Sequence, residues 1–378
     1  MQKSENLQRL FDKYSSDLPK IQKTIVKTLF VIMLCILQKE DVNMNKLKHN
    51  VGTILGKEGS KSSSRYQYLI RFFRNPICLQ HVWKWLLLCI SSELKVLISK
   101  MRGGKYLVLD GTSWELGDQK IHILTLSFVY RGVSIPIFFM NLEKKGCSTG
   151  RERMRLLELA NKFFPLQDMT LLADREYVGL DWFIGLRERF SLNFVIRLSR
   201  TDYKTLLEKQ GYKYSELLAK ARKGKKVLVQ LQVENHCFNL LFQRIDKPEN
   251  SQDDLLILLY NQNISKKRVA QVYAIRWTIE CMFKNLKSNG YKIENINFKC
   301  PKKIRLLIAI VAAIYFLCVQ LGIKNIKGTY FRKNTKKYDI SVFRIGIDAL
   351  AQYAKNFQLF LKKIIQFSKY KHPQFKNV

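Results

Sequence analysis

The chain has 378 residues, enough for two or three domains around a substantial core, and carries 66 Lys and Arg against 30 Asp and Glu, a formal charge of +36. That imbalance calls for a polyanionic partner met through phosphate contacts; the competing readings are a chain kept soluble by its charge and a ribosome-associated protein. The 8 cysteines are scattered without a C-x-x-C pair, and none of the 5 histidines pairs with a cysteine at finger spacing, which argues against a structural zinc site and for reduced thiols in a cytosolic setting.

Residues 1–100 read as mostly helical: Leu18–Leu37, Asn45–Leu55, a break at Gly56–Ser64, then Arg65–Arg74 and Cys78–Ser99. The triple serine Ser62-Ser63-Ser64 has the chemistry of a helix N-cap. The helix behind it mixes Arg65, Arg71 and Arg74 with Tyr66 and Tyr68. A basic, aromatic helix after a helix and a Gly-containing turn fits a helix-turn-helix-like DNA reader, with those three arginines as candidate contacts. The alternative is a basic helical bundle whose aromatics are core.

From Lys105 the hydrophobic period shortens to that of strands. Tyr106–Asp110, Ile121–Tyr130 and Val133–Phe139 form a candidate meander, with Arg131-Gly132 as a tight turn. A helix at Arg151–Phe164, a strand Met169–Asp174, a helix at Leu180–Phe190 and a strand at Leu192–Ile196 follow. Periodicity alone supports an α/β class. Between about 199 and 263, Lys226–Glu234 and Cys237–Gln243 alternate like a hairpin turning at Asn235-His236, and Leu255–Tyr260 reads as another strand, so the segment is a β-rich insertion.

The stretch Tyr273–Lys287, YAIRWTIECMFKNLK, sets Tyr273, Arg276, Glu280 and Lys287 at offsets of 0, 3, 7 and 14. In a continuous helix advancing about 100° per residue, these fall within roughly 60° of one another. Ile275, Ile279, Met282 and Leu286 make the neighbouring apolar stripe, and Cys281 reads as packing. Two strands supply further acids, Asp110 before Gly111 and Asp174 before Arg175-Glu176-Tyr177. Three converging carboxylates repel unless cations neutralise them, and hard oxygen ligands suit Mg²⁺ or Mn²⁺. A pair of such ions serves phosphodiester chemistry. Alone, Asp110 also reads as an Asp-Gly turn and Asp174 as a helix cap.

Leu306–Ile323 is apolar enough to be taken for a membrane span, but its place just after the Glu280 helix favours a buried core helix and no membrane association. The N-terminus lacks a secretory pattern. Residues 326–378 are basic, and Ser341–Phe367 carries apolar residues at helical spacing. Such a tail can pair two protomers, bind a second DNA end, or pack back on its own chain.

Tyr273, Arg276, Glu280 and Lys287 match the Tyr-x2-Arg-x3-Glu-x6-Lys signature of the IS-four family of insertion-sequence DDE transposases, which this chain resembles. Leu109–Leu116 (LDGTSWEL) and Ala173–Tyr177 (ADREY) resemble the family's two aspartate regions, and the similarity runs from about Lys105 to Gly322. The resemblance implies an RNase H-like catalytic core over residues 101–325, interrupted by the β-rich insertion, preceded by an all-α domain over 1–100 and followed by the helical tail. It implies that Asp110, Asp174 and Glu280 bind two Mg²⁺ (or Mn²⁺) ions, that Tyr273, Arg276 and Lys287 hold the DNA end, and that a homodimer cuts and pastes its element in a prokaryotic cytoplasm. Relatives that form hairpins stack a flipped base on an insertion-domain tryptophan; here the tryptophans are 83, 85, 114, 182 and 277, none in the insertion. Two other function classes stay open: a catalytically inactive or repressor-like DNA-binding relative, and a metal-dependent nuclease without strand transfer.

Overall fold

The computed structural model describes residues 23–116, 119–144, 146–245, 254–261, 264–326, 331–332 and 337–368. They form two compact units. One comprises the chain up to Lys100, Ser113–His122 and everything from Cys281 onward; the other comprises Met101–Thr112 and Ile123–Glu280.

The first unit opens with α1 (Lys23–Lys39), α2 (Met44–Leu55), α3 (Ser62–Arg74) and, after a π-helical turn at Cys78–Val82, α4 (Trp83–Ser99). Residues 18–22 of the first expected helix lie outside the described residues. Helix α2 starts where the Asn43 side chain accepts from the Asn45 N–H and stops at Gly56, whose φ of 64° lets its N–H reach back to Gly52 and Thr53. The serines do not cap α3 as their chemistry suggests. Lys61 occupies the cap without a side-chain bond, and the serines form the first helical turn.

The second unit is built on an eight-stranded sheet. Strands β1 (Tyr106–Leu116), β2 (Gln119–Tyr130) and β3 (Val133–Asn141) come first. Arg131 and Gly132 turn β2 into β3 with φ of 48° and 78°, the left-handed pair that a two-residue hairpin requires. Helix α5 (Gly150–Phe163) starts at a capping box of Thr149 and Glu152. Strand β4 (Thr170–Ala173), helix α6 (Leu180–Phe190) and β5 (Asn193–Leu198) follow. These strands lie side by side in the order β3-β2-β1-β4-β5, with β1, β4 and β5 mutually parallel.

The segment after β5 contains two helices that the alternation did not announce, α7 (Lys204–Lys209) and α8 (Tyr214–Arg222). Strands β6 (Val227–Val233) and β7 (His236–Arg244) then form the expected hairpin. The turn sits one residue earlier than expected, at Glu234-Asn235, because Glu234 takes the left-handed conformation at φ 51°. Strand β8 (Leu255–Tyr260) runs antiparallel to β5, so these strands prolong the main sheet. The unit closes with α9 (Val269–Ala274) and the start of α10 (Trp277–Lys287).

Back in the first unit, α11 (Pro301–Asn325) is long and apolar enough to cross a membrane, with mean hydropathy 2.6, and 89% of that apolar window is buried. After a short pair, β9 (Phe331–Arg332) and β10 (Lys337–Tyr338), the described residues end in α12 (Val342–Lys355) and α13 (Phe357–Ser368). Both tail helices pack on their own unit. Phe343 lies 4.9 Å from Tyr315 of α11, and Phe360 lies 5.1 Å from Phe30 of α1.

Two glycines let α11 and α12 touch backbone to backbone. A methyl on Gly322 would strike the Val342 carbonyl, and one on Gly346 the Cys318 carbonyl. Since neither obstacle is a movable side chain, Gly346→Ala is expected to destabilise by about 2 kcal/mol or more. Gly59→Ala, where an added methyl meets nothing within 4 Å, is expected to be near neutral. Urea unfolding midpoints compare the two, and equal midpoints would contradict the close approach.

Candidate active site

The register of the sheet brings the two aspartates together. Parallel β1 and β4 pair Leu109 with Ala173; Asp110 follows within β1, and Asp174 is the first residue beyond β4. Neighbouring parallel strands lie about 4.8 Å apart and alternate faces in step, so both carboxylates leave the sheet side by side on one face. Leu107, Val108, Leu109, Leu171, Leu172 and Ala173 are fully buried, which fixes this register against slippage.

Glu280 comes from the first turn of α10. The expected continuous helix from Tyr273 to Lys287 is broken, since α9 ends at Ala274 and α10 begins at Trp277. Across the join the amides of Ile275, Arg276, Thr278 and Ile279 bond the carbonyls three residues back, at 2.9–3.1 Å. The chain thus tightens into 3₁₀-like turns while keeping its direction. The i,i+3 and i,i+4 relations survive that tightening. Tyr273, Arg276 and Glu280 therefore still meet.

Arg276 organises the cluster. Its Nη2 donates to Glu280 Oε1 at 2.5 Å, its Nη1 lies 3.7 Å from Asp110 Oδ2, and its side chain is 12% exposed. Its Nε–H is buried with no hydrogen-bond partner, a cost that an additional acceptor would remove. The Tyr273 ring lies 5.8 Å from the guanidinium, and the Tyr273 hydroxyl donates to Asp174 Oδ1 at 3.1 Å. Asp174 Oδ1 also accepts from the Arg175 N–H at 2.8 Å. Asp110 Oδ1 accepts from the Gly111 N–H at 2.8 Å and, more distantly, from the Tyr177 hydroxyl at 3.5 Å.

The electrostatics show a shortage of positive charge. Burial pushes Asp110 up to about 6, and the Asp174 and Glu280 carboxylates add to the rise, against the pull of the Gly111 N–H and Arg276. Burial likewise holds Tyr273 and Tyr177 protonated, well above the ordinary phenol range. Among the described residues, no three ligating side chains close on one point; the guanidinium lies between Asp110 and Glu280. The donor chemistry nonetheless fits a divalent cation: hard carboxylate oxygens, mutually repelling and partly desolvated.

The remaining candidates have other surroundings. Lys287 belongs to the first unit, where it donates to the Ser113 carbonyl at 3.0 Å and pairs with Glu294 at 2.9 Å. Arg65 is engaged in its own turn, donating to Ser60 Oγ at 3.0 Å and to the Ser60 carbonyl at 2.7 Å. Arg71 and Arg74 are exposed on α3. Cys281 is exposed rather than packed. Two features escaped sequence reading. Trp277, beside Arg276, is 62% exposed. Arg153 is only 6% exposed; the signal was an arginine on the same helical stripe as Leu156, Leu157 and Ala160.

The Asp110 environment has a measurable consequence. The folded chain holds that proton more tightly than the unfolded chain, so this stability is full below about pH 4 and is lost as pH rises through about 6. In metal-free buffer Asp110→Asn is therefore expected to stabilise the protein at pH 8 by about 1–3 kcal/mol, with the gain shrinking at pH 5. Thermal unfolding at both pH values checks this. A variant less stable than the wild type at pH 8 would show that the carboxylate is not under electrostatic strain.

Compared with known proteins, residues 103–317 match the family described as "Transposase DDE domain". Among 8 matching solved chains is a piggyBac transposase in a synaptic complex with hairpin DNA. It aligns at 11% identity with a TM-score of 0.49, over 95% of this chain and 75% of that one. Comparison with curated proteins found no match.

Proposed function

Because this chain belongs to the transposase DDE domain family, with the match covering more than half its length, we propose that Asp110, Asp174 and Glu280 are its catalytic acids and that it cuts and rejoins DNA at the ends of its own element. The observation that carries this reading is the placement of Asp110 and Asp174 one step beyond the Leu109–Ala173 pair on adjacent parallel strands, with Glu280 drawn to Asp110 through Arg276. The strand order around them supports an RNase H-like core. The Tyr-x2-Arg-x3-Glu-x6-Lys spacing supports the IS-four family.

The three carboxylates would hold two Mg²⁺ or Mn²⁺ ions, which when bound supply Lewis acidity at the scissile phosphodiester. The protein's own groups do the rest. The unsatisfied Nε–H and the guanidinium of Arg276 are suited to a phosphate oxygen, with the fork geometry that favours Arg for this task. Tyr273 orients Asp174 through its hydroxyl and supports the guanidinium with its ring. The exposed indole of Trp277 offers a stacking surface for an unpaired base, since base–aromatic stacking tolerates sequence. In the first unit, the α2–turn–α3 arrangement presents Ser64, Gln67, Arg71 and Arg74 on one exposed face, which suits DNA reading in the major groove. The net charge of +36 supplies the sequence-independent attraction. A homodimer acting on DNA in a prokaryotic cytoplasm completes the reading.

Two assays test it. Glu280→Gln removes one ligand charge and leaves α3 untouched, so gel shifts on the inverted repeats flanking the coding sequence should be nearly unchanged while Mg²⁺-dependent cleavage and joining fall by at least about 100-fold. Near-normal cleavage by this variant would remove Glu280 from the chemistry. Cleavage without joining in the wild type would favour the nuclease reading, and binding without cleavage the repressor reading.

For the DNA reader, Arg71→Ala in the full chain should weaken end binding. A contact to a base edge is expected to cost about 1–3 kcal/mol and to relax specificity, whereas a phosphate contact lowers affinity for all sequences alike. Unaltered affinity for both end DNA and scrambled DNA would move sequence reading elsewhere in the chain.

A further inference from the structure

Arg153 is a buried cation on the apolar stripe of α5, where the other buried residues are Leu156, Leu157, Ala160 and Phe163. Placing an arginine there has a desolvation cost, and a loop that merely needed closing has cheaper solutions in a serine or asparagine. What the guanidinium touches explains its presence. Nε donates to Ser148 Oγ at 3.0 Å and Nη2 to the Ser148 carbonyl at 2.7 Å, which anchors the loop between β3 and α5. Nη2 also donates to the Glu176 carbonyl at 2.7 Å, and Nη1 to the Val178 carbonyl at 3.3 Å, which anchors the loop leaving β4. Only a planar group with five donors can serve both loops at once.

The second loop begins with Asp174. Its turn closes through the Tyr177 N–H donating to the Asp174 carbonyl at 2.9 Å. Arg153 holds the carbonyls on either side of Tyr177, and its guanidinium lies 5.0 Å from the Tyr177 ring. That ring is fully buried, and its hydroxyl faces Asp110 Oδ1 at 3.5 Å. One side chain thus reaches two of the three acids by separate routes: Asp174 through the backbone turn, and Asp110 through Tyr177. Neither Arg153 nor Tyr177 belongs to the acidic set, and Ser148 and Arg153 lie outside every motif read from the sequence.

We propose that Arg153 and Tyr177 are positioning residues: Arg153 locks the 174–178 turn and the Tyr177 ring, and Tyr177 orients Asp110, so that the two aspartates are presented together for a divalent cation. The inference rests on the reading of Asp110, Asp174 and Glu280 as a metal-binding set. Outer partners that orient ligating carboxylates typically contribute a factor of about 10–100 in metal affinity, and that figure sets the expected effect.

The experiment titrates Mg²⁺ and Mn²⁺ into the DNA-free full-length protein and reads the metal-induced rise in unfolding temperature, alongside calorimetric binding. The variants are Tyr177→Phe, which removes a single oxygen, and Arg153→Lys, which keeps the charge and the aliphatic stem but loses the fork. Both are expected to fold, to keep their affinity for end DNA, and to need about 10-fold more metal for half-saturation. Arg153→Lys is also expected to make the 174–178 turn more susceptible to proteolysis, and Tyr177→Phe is not. Metal titrations of both variants that superimpose on a metal-binding wild type would overturn the proposal while leaving the acidic set intact. A wild type with no metal-induced shift would instead overturn the metal reading, and this inference with it.

Discussion

Two carboxylates leaving adjacent parallel strands on the same face are forced into repulsion, and the groups that surround them answer that constraint. The register of β1 and β4 is fixed by six fully buried apolar residues, so Asp110 and Asp174 cannot move apart without unpairing the middle of the sheet. Burial adds to the repulsion and drives Asp110 towards protonation. The compensating groups are Arg276, the amides of Gly111 and Arg175, and the hydroxyl of Tyr273. Hydrogen bonds from fixed amides and a tyrosine can orient carboxylates, but they cannot neutralise them. The arrangement therefore stays short of positive charge, which is the property the proposed divalent-cation role requires.

The interruption between α9 and α10 belongs to the same account. A straight helix would carry Tyr273 and Glu280 around at a uniform pitch. The 3₁₀-like join instead spans Ile275–Ile279 and leaves Arg276 bonded to Glu280 within one turn and next to Asp110. Local departures from α geometry often mark functional sites, and here the departure contains Arg276, whose guanidinium meets both Asp110 and Glu280. Stability elsewhere is built differently. The first unit relies on the buried apolar window of α11 and on its glycine-mediated contact with α12.

The acids could be located from sequence because each sits at the end of a short apolar run or at a fixed helical offset, and local patterns of that kind survive folding. Most strand limits were legible for the same reason, and Leu180–Phe190 and Leu255–Tyr260 coincide with α6 and β8. Three things were not legible. The serines that open α3 have capping chemistry but lie inside the helix, with Lys61 at the cap. Helices α7 and α8 are one or two turns long and too brief for a helical period to stand out among strands. Continuity of the sheet through β5 and β8 depends on long-range pairing that no local pattern encodes. Arg153 is an intermediate case: its misfit on an apolar stripe was visible, but its partners, 5 and 23–25 residues away in sequence, were not.

Asp110, Asp174 and Glu280 are proposed to share one divalent-cation site. Iron-directed backbone cleavage tests it directly: Fe²⁺ replaces Mg²⁺, ascorbate and peroxide generate hydroxyl radicals at the bound metal, and the fragments are mapped by mass spectrometry. A shared site should give cuts clustered around residues 109–111, 174–177 and 276–281, all suppressed together by excess Mg²⁺ and by Glu280→Gln. Cuts confined to one of these segments, or scattered along the chain and indifferent to Mg²⁺, would contradict it.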